Sequence, residues 1–178
     1  MYAIRSYYAS MLYYVVSLLS SIYCDGPILQ AVQDARLFSD SKYFVDMPLK
    51  QDPVRRTKQR CRNIKLVVEA HFDAPGHELQ ETYPEDWVPF PNSFTNIDDY
   101  QLRRWALHLH RIWRDLCRRV KDDVRLRQER YSLLYVPHPF IIPGGRFKEF
   151  YYWDSFWILK GLLFSEMYDT AKGTILNL

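Results

Sequence analysis

The chain has few cysteines, no surplus of charge of one sign and no long uninterrupted apolar run, and each shortage closes off a class of protein. Three cysteines, Cys24, Cys61 and Cys117, are too few and too scattered for a disulfide framework, and none stands at metal-ligand spacing. Their odd number leaves at least one thiol unpaired within a monomer. The 24 basic and 21 acidic residues give a formal charge of +3. That is close enough to balance that charge alone does not call for a nucleic-acid partner. The apolar run Met11 to Leu19 is well short of the about 20 residues needed to cross a bilayer, but it has the length of a secretory h-region and follows Arg5. Residues 1–21 therefore read as a signal peptide, although no small-x-small pair marks a cleavage site cleanly. A buried apolar arm, or an N-terminal arm foreign to the fold, is the alternative. The signal reading places the protein outside the cell or at its surface, with membrane attachment open; the alternatives place it in the cytoplasm.

Apolar and aromatic residues are what the chain has in quantity, at 48% and 16% of 178 residues. That composition buries a substantial core and excludes a disordered or low-complexity chain. One domain is expected.

Helical signals dominate the order of the chain. Asp25-Gly26 precedes Pro27, which a first helical turn tolerates, and Ile28, Ala31, Val32 and Ala35 follow at helical spacing. A short helix is expected between Asp40 and Pro48, and another from Leu66 to Phe72, closed by Asp73-Ala74-Pro75-Gly76. The basic run Arg55 to Arg62 is expected to be a solvated helix face, since it lacks the interleaved aromatics that single-strand binders use. Pro84, Pro89 and Pro91 make Leu79 to Asp98 an extended connection, ordered by Trp87, Phe90 and Phe94. Tyr100 to Arg127 reads as one long amphipathic helix capped by Asp98 or Asp99. Its apolar stripe is Trp105, Leu109, Ile112, Trp113, Leu116 and Val120, and its other sides carry Arg103, Arg104, Arg111, Arg114, Arg118 and Arg119. His108 and His110 are two apart and point away from each other on a helix, so they, like His71 and His77, are structural rather than metal ligands. A last helix is expected from Asp154 or Ser155 to Lys172, with Phe156, Leu159, Leu163 and Met167 on one face and Gly173 past its end. Helices alternating with loops, without a convincing sheet, argue for an all-α fold.

Chemistry concentrates between Ile141 and Trp157. Pro143-Gly144-Gly145 makes a turn whose glycines admit backbone angles closed to other residues. Beyond it stand Arg146, Glu149, Trp153 and Asp154 among Phe147, Phe150, Tyr151, Tyr152, Phe156 and Trp157. A guanidinium and carboxylates offer charge-assisted hydrogen bonds to hydroxyls, and flat apolar rings offer a face to C–H groups, so the set suits a polyhydroxylated sugar.

The run Pro143-Gly144-Gly145-Arg146-Phe147-Lys148-Glu149-Phe150-Tyr151-Tyr152-Trp153-Asp154 resembles the first signature of the α,α-trehalases, glycoside hydrolases that split trehalose into two glucoses. Ile22 to Leu29, Asp40 to Asp46, His71 to Gly76 and Tyr131 to Phe140 resemble the same family in the same order, so the likeness runs from Ile22 to about Gly173. It implies that residues 22–178 are the N-terminal part of a trehalase-like catalytic domain, an incomplete (α/α)6 toroid with extended loops. It implies trehalose as the partner, no cofactor and no metal. Substrate binding carries over to Arg146, which matches the arginine gripping sugar hydroxyls, to Trp153 and Asp154 as the Trp-Asp pair, and to Phe147 as a pocket wall. The resemblance implies an inverting α,α-trehalase whose two catalytic carboxylates, an acid and a base, are expected beyond Leu178, and it leaves open whether the chain by itself hydrolyses trehalose. Glu149 is taken as structural. Phe156 stands where the family often has tyrosine. A non-catalytic carbohydrate-binding or interaction fragment is the principal alternative, and a nucleic-acid module built on the arginine-rich helix the weaker one.

Overall fold

The computed structural model of the chain describes residues 13, 15–53 and 63–178. The basic run Arg55–Arg62 with Cys61, and most of the segment 1–21, lie outside the described residues. The described chain is mostly helical, with a small antiparallel sheet, and its residues group into two compact units, 1–78 with 122–135 and 79–121 with 136–178.

The first unit is built on short helices. Helix α1, Pro27–Asp34, starts with its proline in the first turn, where the missing N–H costs no hydrogen bond, and buries Val32. Helix α2, Lys42–Val45, buries Phe44; Asp40 Oδ1 accepts from the Lys42 amide at 3.0 Å. Helix α3, Ile64–His71, is capped by Asn63, whose side chain accepts from the Lys65 amide. These elements converge on Ile22, Tyr23, Val32, Phe44, Met47, Leu49, Val68 and Phe72, with the rings of Phe44 and Phe72 5.0 Å apart. Leu18 and Leu19 pack against this core and Val15 is buried, as expected of a buried apolar arm. By length and composition the stretch Val15–Asp34 would also cross a membrane, a test that signal sequences and core helices both pass. Later in the chain this unit gains a further helix, α6 in chain order, Asp122–Leu126, and a 3-10 turn, Gln128–Arg130. Arg130 pairs with Asp52, and its carbonyl accepts from the Leu49 amide at 2.8 Å.

The second unit holds the sheet, and with it the first correction to an all-α reading. Strand β1, Leu79–Glu81, pairs with β2, Cys117–Val120, which pairs with β3, Phe140–Ile141, in the antiparallel order β1-β2-β3. Helix α4 is Asn92–Thr95 and α5 is Tyr100–Leu116, capped by Asp99, whose Oδ1 accepts from the Leu102 amide at 2.7 Å. The expected helix to Arg127 therefore stops eleven residues early. The cause is competition for main-chain groups: the Leu116 carbonyl accepts from Ile142 and the Cys117 carbonyl from Thr82, so the chain leaves the helix to bond strands on both sides. The expected apolar stripe is also displaced. Trp105, Leu109 and Ile112 are exposed, whereas Ala106 and His110 are buried.

The C-terminal helix is two helices. Helix α7, Tyr152–Phe164, ends at Ser165, Glu166 takes a left-handed φ of 61°, and α8, Tyr168–Leu176, follows after Met167. Gly173 lies inside α8 rather than past a helix end. Ile158 and Leu162 face the core in place of Phe156 and Leu163, which are exposed, and Met167 fills it from the break between helices. Phe90, expected to be covered, is exposed, while Phe94 is buried against the edge of Phe164. The second core comprises Cys117, Ile141, Ile158, Leu162, Met167 and Ala171.

Candidate functional site

Strand β3 delivers the chain to the glycine turn. The Ile142 amide is held by the Leu116 carbonyl at 3.0 Å, and Gly144 and Gly145 then take φ values of 101° and 61°. Both angles lie in the left-handed region, where a side chain is strained. At Gly144 a Cβ would also meet Leu116 at 3.2 Å. The turn closes on itself: the Gly144 amide donates to the Phe147 carbonyl at 3.2 Å and the Phe147 amide to the Gly144 carbonyl at 3.1 Å. Arg146 and Phe147 thus stand at an exposed tip, with the guanidinium carbon 5.0 Å from the Phe147 ring centre. That distance is a cation–π contact, which steadies the arginine.

The exit from the turn is anchored by Phe150, whose ring meets the wholly buried Phe140 edge-on at 5.1 Å. Tyr151 then starts α7. Its carbonyl accepts from the Ser155 amide at 3.0 Å and the Ser155 hydroxyl at 2.6 Å. Trp153 and Asp154 fall in the first turn of that helix, where the macrodipole favours a carboxylate. Trp153 is 71% exposed, so it is no core anchor; it meets Trp157 edge-on at 6.2 Å. Asp154 is half-buried, and among the described residues its carboxylate has no hydrogen-bond or ion-pair partner, so it does not serve as a helix cap.

The four predicted residues therefore occupy two short platforms, the turn with Arg146 and Phe147 and the helix start with Trp153 and Asp154. Tyr151 joins them, since its ring meets Phe147 edge-on at 6.0 Å while its main chain begins α7. Residue periodicity did not single out Tyr151 or its partner Glu149. The only sign in the sequence was the density of aromatics and acids after the turn.

Elsewhere, a cavity of about 470 Å³ lies along α5, lined by Tyr100, Arg103, Arg104, Leu107, His108 and Arg111. Its lining is rich in arginine and carries no carboxylate. Other arginines are engaged internally: Arg114 of α5 sits over the rings of Tyr83 and Trp87, and Arg118 of β2 donates to the carbonyls of Asp115 and Cys117. His110 is buried, stacked on Trp87 at 5.2 Å, and its Nε2 lies 2.7 Å from the Val88 carbonyl. Burial holds its pKa below the ordinary histidine value, so the neutral ring with its proton on Nε2 fits this place. Among the described residues no three His, Cys, Asp or Glu side chains gather as a metal site.

A mostly helical chain with a glycine turn feeding an aromatic and acidic helix start is the class of protein defined so far. Comparison with known sequences defines it further. The family model Trehalase matches residues 36–178. The chain is 46% identical over 170 residues to a trehalase of Apis mellifera, an alignment covering 89% of this chain and 27% of that protein. It is 45% identical over 170 residues to trehalases of Oryctolagus cuniculus and Homo sapiens, covering 89% of this chain and 29% of each of them. The chain belongs to the trehalase family, and it spans somewhat more than a quarter of the length of these relatives.

Proposed function

We propose that the protein takes part in hydrolysis of α,α-trehalose to two glucoses, and that the segment from Arg146 to Asp154 forms a wall of its sugar site. The observation that carries this reading is the family match over 36–178, which includes the glycine turn and the start of α7. In it, Arg146 donates to sugar hydroxyls, Asp154 accepts from them, and Phe147 and Trp153 present ring faces to the C–H side of a glucose. The exposure of Trp153 and the uncommitted carboxylate of Asp154 support those roles. The helices would contribute to an (α/α)6 ring around the pocket.

Hydrolysis with inversion needs an acid to protonate the bridging oxygen and a base to activate water on the opposite face, roughly 6.5–9.5 Å apart. None of the four site residues is assigned to either task. In this reading the contribution of residues 146–154 is to grip and orient one glucose. A signal-sequence role for the N-terminal apolar helix, and with it secretion or surface display, belongs to the same reading.

The test is glucose release from trehalose by the protein expressed from its native transcript, with the first-formed anomers followed by NMR. Equal release of α- and β-glucose from each trehalose is the expected result. Absence of release would sink the hydrolytic reading. Trehalose binding without release would favour the second reading, a non-catalytic carbohydrate-binding role, which the predominance of binding residues in the signature supports.

A further inference from the structure

We propose that Glu149 is a positioning residue of this sugar site, acting through the hydroxyl of Tyr151. The inference rests on the sugar-site reading above and concerns how the two platforms of that site are held in register. The Tyr151 hydroxyl donates to Glu149 Oε2 at 2.8 Å. From that fixed ring two connections run outward. One is through the side chain: the Tyr151 ring meets Phe147 edge-on at 6.0 Å, with planes at 83°, and Phe147 carries the Arg146 guanidinium on its ring. The other is through the main chain: the Tyr151 carbonyl binds both the amide and the hydroxyl of Ser155, and so fixes the first turn of α7, which bears Trp153 and Asp154.

Phe150, between the two residues, is pinned to buried Phe140, so the backbone from Glu149 to Tyr151 has little freedom to follow a different ring position. The hydrogen bond to the carboxylate restrains rotation of the Tyr151 side chain. A tyrosine hydroxyl bound to an ionised acceptor makes a stronger hydrogen bond than a neutral pair. Without it the ring turns, Phe147 loses its edge contact, and Arg146 loses the surface under its guanidinium. Glu149 therefore acts on the binding groups through Tyr151, and this separates it from a general acid, which has to reach the glycosidic oxygen.

Isothermal calorimetry with trehalose tests this on the purified protein and on Glu149→Ala, Tyr151→Phe, Glu149→Gln and the double variant Glu149→Ala/Tyr151→Phe. Tyr151→Phe keeps the ring and its packing, so it separates the hydroxyl from the fold. The expected result is an affinity about tenfold weaker for each of Glu149→Ala and Tyr151→Phe, as for loss of one charge-assisted hydrogen bond. The double variant should be no worse than either, because the two residues form one unit. Glu149→Gln, which still offers an oxygen acceptor but no charge, should recover part of the loss. Wild-type affinity in Glu149→Ala and Tyr151→Phe would overturn the inference, as would losses that add in the double variant or that merely follow a fall in Tm. A wild-type protein that does not bind trehalose would overturn the sugar-site reading itself, a result distinct from both.

Discussion

Trp113 of α5 and Gly161 of α7 meet without a side chain between them: a Cβ on Gly161 would stand 2.7 Å from Cζ2 of the indole. The ring has little room to retreat, because its Nε1 donates to the Ser165 hydroxyl at 3.0 Å. Glycine inside a helix costs about 1 kcal/mol relative to alanine. Here that cost allows the two helices to approach. Gly161→Ala should therefore lower stability by about 1–2 kcal/mol despite the gain in helix propensity, since overpacking typically costs about 1–3 kcal/mol. Chemical denaturation of Gly161→Ala, alone and with Trp113→Leu, checks this; the smaller side chain should recover part of the loss.

His110 gives a pH dependence whose sign follows from its burial. Its folded pKa lies below the ordinary value, so from about pH 6.5 downward the unfolded chain binds a proton that the folded chain resists. The stability contributed by the neutral ring is present above that pH and declines as pH falls. Thermal unfolding should show a loss of Tm between pH 7.5 and pH 5.5. The loss should be smaller in His110→Gln, whatever that variant's stability at pH 7.5.

Cys117 is wholly buried, and burial pushes its thiol up to about 11. The thiolate is the reactive form, so at pH 7.5 the native residue should resist alkylation, whereas Cys24 is exposed. Mass spectrometry after iodoacetamide treatment should find Cys24 modified and Cys117 unmodified until denaturant is added.

Glu166 holds a left-handed φ of 61° and uses its carboxylate to bind the Asn92 and Ser93 amides and the Ser93 hydroxyl at the start of α4. The hydrogen bonds from Ser93 hold its carboxyl below the usual carboxylate range. That stabilisation is present above about pH 4.3 and is lost as pH falls through the lowered folded value. Glu166→Ala should lower Tm at pH 7 more than Glu166→Gly, because glycine removes the backbone strain that alanine retains. Equal Tm values would show that the φ angle carries no strain.

Much of this was legible from local signals. Pro27 in the first turn of α1, Asp99 as a cap and the left-handed glycines after Pro143 are written in a few adjacent residues, and the structure bears them out. What was not legible depends on partners distant in sequence. The spacing of Leu116 and Val120 fits a helix; only Thr82 and Ile142, as bonding partners, make strand of the residues between. Met167 sits at helical spacing from Leu163, yet Glu166 breaks the helix because Asn92 and Ser93 hold its carboxylate. Likewise the long stripe of α5 was read from apolarity, whereas burial follows the stack of His110 on Trp87. At the candidate site the residue types were readable, and the pairing of Tyr151 with Glu149 was not.

The most direct test of the sugar-site assignment is kcat/KM for trehalose in the protein from its native transcript, compared with Arg146→Ala and Asp154→Ala. Removing either group from a charge-assisted grip on the sugar should cost at least about tenfold in kcat/KM, with Tm little changed. Wild-type kcat/KM in both variants would contradict the placement of the sugar site at the glycine turn and the start of α7.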